Sequence, residues 1–96
     1  MKTSDTPNML DDLKLKPQEC SGNYKFNGQL VMTSGFIIEF GNIATDIALL
    51  AVAKIITERV NSPKGADYLQ VMYYKGTTFW IIDDINVVTI LLPEDY

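Results

Sequence analysis

The residues best suited to chemistry are acidic and sit late in the sequence: Asp83-Asp84, then Glu94-Asp95 with the terminal carboxylate of Tyr96. Paired carboxylates of this kind can hold Mg²⁺ or share a proton in acid–base work. A plainer use competes with that one. Asp83-Asp84-Ile85-Asn86 falls where a hairpin must reverse, and Asp and Asn favour such places because their side chains bond the nearby backbone. A third use is an anionic patch meeting a basic protein, where complementary fields raise association rate and specificity. Asp83, Asp84, Glu94 and Asp95 are therefore expected to bind a partner, and no catalytic residue, metal site or cofactor is expected.

The rest of the inventory points the same way. The chain has no histidine and one arginine, Arg59. This removes the commonest general base, the commonest zinc ligand and every Ser-His or Cys-His pair. Ser34 before Gly35 lacks a nucleophile-elbow context, and the six glycines occur singly, with no phosphate-cradling loop among them. Eight Lys and Arg against twelve Asp and Glu give 8 − 12 = −4, which argues against direct nucleic-acid binding. Tyr68, Tyr73, Tyr74, Phe79 and Trp80 resemble a base-stacking platform in type only. The stretch that carries them has Lys75 alone against Asp67, Asp83, Asp84, Glu94 and Asp95. Core and interface packing is the better use of these rings, and Trp80 is expected to be a partner-binding hot spot.

Ninety-six residues with 47% apolar content suit one domain with its own core. The single cysteine, Cys20, can form neither an internal disulfide nor a cysteine metal cage, and no signal peptide precedes it, so a cytoplasmic location is expected. The greasy stretch 36–56 is interrupted by Glu39, Asp46 and Lys54. Its longest unbroken apolar run, Ile47 to Ala53, is far short of the roughly 20 residues a membrane helix needs, so no membrane association is expected.

Residues 1–22 read as a lead-in of scattered charge, with a short helix over 7–15 started by Thr6-Pro7 and stopped by Pro17. The domain proper is expected over 23–96. Asn27-Gly28 between 24–26 and 29–33 predicts a type I′ hairpin, and 36–40 is expected to extend the sheet. Ile43 to Val60 predicts the one long helix, capped by Asn42. Its Ile43, Ile47 and Leu50 fall on or beside the polar side and are expected to form an oligomer interface, making a homodimer. Three strands over 67–74, 77–82 and 87–92, joined by Lys75-Gly76 and 83–86, predict an antiparallel meander whose apolar residues occupy both faces.

The segments 28–35 (Gly-Gln-Leu-Val-Met-Thr-Ser-Gly), 76–82 (Gly-Thr-Thr-Phe-Trp-Ile-Ile) and 89–96 (Thr-Ile-Leu-Leu-Pro-Glu-Asp-Tyr) resemble a family of small plasmid-related proteins of bacterial mobile elements. The Arg-His and Gly-Asp-Trp-Gly segment of that family is missing here. Thr33-x-Gly35 and 67–71 (Asp-Tyr-Leu-Gln-Val) also resemble a phage-associated domain of Gram-positive bacteria. The resemblance implies an accessory gene of phage or plasmid origin and supplies no catalytic residues.

The expected fold is α+β, a single antiparallel sheet with the long helix on one face. The expected function is non-enzymatic binding of a protein, with a basic nucleic-acid-binding protein as the candidate partner, by an inhibitor of a host defence system of the anti-CRISPR or anti-restriction type. The alternatives are an antitoxin-like or transcriptional regulator, and a small-molecule-binding or metal-dependent enzyme.

Overall fold

Alternation along the last third of the chain builds the sheet. In the computed structural model, which describes residues 9–96, β3 (Leu69–Tyr74), β4 (Thr77–Asp83) and β5 (Val87–Leu91) form the expected antiparallel meander. Two further strands complete it: β1 (Leu13–Leu15), antiparallel to β3, and β2 (Gln29–Met32), parallel to β5. The order across the sheet is β1-β3-β4-β5-β2. The fold is α+β, but the sheet is mixed rather than wholly antiparallel.

The parallel pair replaces the expected hairpin. Tyr24 makes only an isolated bridge to Ala66, and Phe26, at φ 54°, plunges into the core instead of pairing with 29–33. Gly28 serves close approach, not a tight turn: a Cβ there would lie 2.6 Å from the Asn86 carbonyl carbon. The bare backbone lets β2 start alongside β5.

The helical layer is also redistributed. Residues expected to extend the sheet form a helix, α2 (Ser34–Phe40), because Thr33 caps it: its Oγ1 accepts from the Phe36 N–H at 3.2 Å. The chain turns at Gly41, passes through a 3₁₀ turn (Gly41–Ile43), and continues as α3 (Ala44–Ile55). The cap expected of Asn42 does not form; α3 starts from Ile43 without a side-chain cap. Ser34–Val60 spans 27 residues and, by length and composition alone, would suffice to cross a membrane. Here Gly41 breaks it, and Phe36, Ile47, Ala48, Ala51 and Ile55 face the protein core.

The expected oligomer stripe is not free. Ile47 is 0% exposed, and Ile43 and Leu50 are half-buried against the same core. The reason lies in the segment read as a lead-in. The expected helix over 7–15 lies partly outside the described residues; within them it is one turn, α1 (Met9–Asp12), followed by β1. Leu13 of β1 is fully buried, and β1 contacts α3. The extra strand packs against α3 and widens the sheet beneath it, and on the same helix Leu49 is exposed.

Between the layers, Phe79 meets Phe36 and Phe40 in edge-to-face contacts at 5.2 and 5.6 Å, and Phe40 meets Tyr74 at 6.0 Å. The β3–β4 turn has both central residues at positive φ, Lys75 at 45° and Gly76 at 91°, as a type I′ turn requires. Lysine pays a steric cost there that asparagine largely avoids. Lys75→Asn is expected to raise stability by about 0.5–1 kcal/mol in chemical denaturation. The ammonium's loose contacts, 5.6 Å to the Tyr74 ring centroid and 3.8 Å to Asp12, offset little of this.

Candidate interaction surface

The ladder register divides the sheet residues cleanly. Toward the helices point Gln70, Met72, Phe79, Ile81, Asp83, Val88 and Ile90, all buried. The opposite face carries Val71, Trp80 and Leu91 in one cross-strand row and Leu69, Ile82, Thr89 and Val31 in the next. No α-helix covers this face among the described residues; the 3₁₀ turn Pro93–Asp95 contacts β4, and Leu91 is buried. Trp80 is half-buried in its middle, with Tyr96 folded back against it edge-to-face at 5.7 Å.

At the β4–β5 end this face opens into a shallow groove of about 470 Å³, lined mainly by Tyr24, Tyr68, Ile82, Ile85, Leu91 and Tyr96, with Thr89, Asp83 and Asp84 also on its wall. The tip of the β4–β5 turn forms its lip. Asn86 N–H donates to the Asp84 carbonyl at 2.7 Å across a three-residue turn, and Asp84 N–H donates to the Val87 carbonyl at 2.8 Å. The central residue, Ile85, has φ 67° and is 67% exposed. A β-branched residue is disfavoured in this conformation, and an exposed one recovers nothing by burial within its own chain.

The acidic residues separate into two kinds. Asp83 continues the helix-side alternation and is 4% exposed. Its Oδ2 accepts from Phe26 N–H at 2.9 Å and its Oδ1 from Ile85 N–H at 2.8 Å, so it brackets the 26 loop to the hairpin turn. Asp95 accepts from the Thr33 hydroxyl at 2.7 Å and from Leu92 N–H at 3.1 Å. That clasp brings together Thr33-Ser34-Gly35 and the Leu-Pro-Glu-Asp tail, the motifs behind the family resemblance. Gly35 is required for it, since a Cβ would sit 2.5 Å from the Asp95 carboxylate. The Asp83 and Asp95 carboxylates are thus committed to the fold, although Asp95 is exposed as Asp84 and Glu94 are. The Asp83 carboxylate is taken up by two backbone N–H groups, whereas Asp84, just past the end of β4, is exposed. Among the described residues no three Asp, Glu or Cys gather as a metal ion would need.

Sequence reading missed two features. Ile85 was legible only as a turn residue, and nothing in its type announces positive φ. A polar network around the buried Gln70 was missed as well: Gln70 Nε2 donates to Gln18 Oε1 at 2.7 Å and to the Asp67 carbonyl at 3.0 Å, while Arg59 donates to Gln70 Oε1 at 2.8 Å and to the Lys16 carbonyl at 2.8 Å. A lone arginine was the available signal.

Comparison with protein-family models, with curated proteins and with solved structures finds no match.

Proposed function

We propose that this chain is a non-enzymatic protein-binding accessory of the mobile-element kind its motifs resemble, an inhibitor that engages its target through the open sheet face. The observation that carries this reading is Ile85: a strained, exposed, apolar residue at the lip of an apolar groove is accounted for by contact with another molecule. Trp80 and Tyr68 give the aromatic anchors typical of interface hot spots. Exposed Asp84, with Asp67 near the groove and Glu94 on the C-terminal turn, adds negative charge that favours a basic target such as a nucleic-acid-processing protein. Lys14 and Lys16 sit across the sheet by β1, Lys16 Nζ lying 5.6 Å from the Tyr73 ring centroid.

Ile85→Gly separates binding from folding. Glycine relieves the left-handed strain, so stability is expected to rise by about 1 kcal/mol, read as a higher melting temperature. Protection of phage or plasmid DNA from restriction or CRISPR interference in cells should fall at least tenfold with Ile85→Gly and with Trp80→Ala. If both variants protect as well as the parent, this face is not the working surface. Specific duplex binding by the purified chain would instead favour a transcriptional regulator.

A further inference from the structure

The two edges of the sheet are finished differently. At one, β1 is three residues long and runs Leu-Lys-Leu into Lys16-Pro17, the short, charged, proline-ended form that discourages pairing with another strand. At the other, β2 reads Gln-Leu-Val-Met, with no charge and no proline. Gln29 N–H donates to the Asn86 carbonyl at 2.9 Å and Thr33 N–H to the Ile90 carbonyl at 3.0 Å. The alternation of the strand therefore turns the main-chain groups of Leu30 and Met32 outward, where no strand of the described residues meets them. The described chain begins beside β1, four strand spacings away, about 19 Å.

We infer that β2 pairs antiparallel with β2 of a second copy, about a two-fold axis at Val31. The register is self-consistent. Leu30 faces Met32 of the other copy in both hydrogen-bonded pairs, giving four main-chain bonds, and Val31 faces Val31 in a non-hydrogen-bonded pair on the open face. Val31 is 37% exposed in the single chain, and its contact would be apolar on both sides. The strip is uncharged in a chain of net charge −4, so like charges do not oppose each other along the seam. The helix that follows β2 directly carries the exposed Ile37 and Ile38, further apolar surface on the other face next to this strand. The pairing would join two sheets into one of ten strands and leave the groove at Ile85 open, so it stands independently of the proposed target.

Light scattering at tens of micromolar is expected to give about twice 10.8 kDa for the parent chain and 10.8 kDa for Val31→Lys, with matching far-UV spectra. In a Cys20→Ser background, Val31→Cys should cross-link fully to a dimer under mild oxidation. The facing Cα atoms, about 4.5 Å apart, lie within disulfide range. Leu49→Cys in the same background should dimerise like the parent but form no cross-link under the same oxidation. A monomeric parent with no Val31→Cys cross-link overturns the inference, and so does a dimer that Val31→Lys leaves intact.

Discussion

Asp83→Ala is expected to destabilise the fold by about 3 kcal/mol, lowering the melting temperature by about 12–24 °C. The carboxylate is buried and accepts two backbone N–H bonds, from Phe26 and Ile85. Truncation leaves both donors without their partner, and the Phe26 donor lies on a residue that is itself 1% exposed. Phe26 is held at positive φ, so the bracket also fixes a residue whose backbone would otherwise relax. Asp83→Asn keeps one acceptor but turns an NH₂ group toward an N–H, so about half the loss is expected. Asp84→Ala, at an exposed position one residue on, should stay within about 0.5 kcal/mol of the parent. Chemical denaturation of the three variants checks this; equal midpoints for Asp83→Ala and Asp84→Ala would remove the bracket from the account.

That contrast marks where sequence reading reached its limit. The pattern of strand-like apolar runs with short links between them identified β3, β4 and β5, because local chemistry and final pairing agree there. It placed Asp83 in the turn but could not place it inside, since its partner Phe26 is 57 residues away in the chain. Asn27-Gly28 carried a strong local signal for a hairpin, and the tertiary structure used the glycine for close approach to Asn86 instead. The same non-local cause misassigned Ile47. Helical periodicity gives the angle between residues but not which arc meets the sheet, and the sheet's width depends on β1, three residues whose pattern is too short to declare a strand. The open face fared better: apolar residues on both sides of β4 and β5 signalled that one helical layer would not cover them all. The two acidic residues that turned out to be structural, Asp83 and Asp95, are indistinguishable from Asp84 and Glu94 by type alone.

Gln70→Leu is the second substitution with a large expected effect, about 2 kcal/mol, even though it preserves volume at a position 1% exposed. Gln70 is the hub through which the arm at 16–18 is fastened to the sheet and to the end of α3. The helix ends in a widened turn, Asn61 N–H donating to the Ile56 carbonyl at 3.1 Å, and this turn carries Arg59. From there the guanidinium spans Gln70 Oε1 and the Lys16 carbonyl. Gln18 closes the circuit through Gly65 and Asp67. Among the described residues no buried side-chain nitrogen or oxygen lacks a partner, so a change that strands one creates the first such defect. Arg59→Leu exposes that logic from the other end by unpairing the buried Gln70 oxygen. Because each single change strands what the other would remove, Arg59→Leu with Gln70→Leu should cost less than the sum of the two by about 1 kcal/mol. Hydrogen exchange adds the spatial test: the singles should speed exchange at the bonded amides of Lys16, Gly22 and Asp67 well before β4. Strict additivity, with exchange accelerated uniformly, would mean that the arm is held by Leu13 and β1 pairing alone.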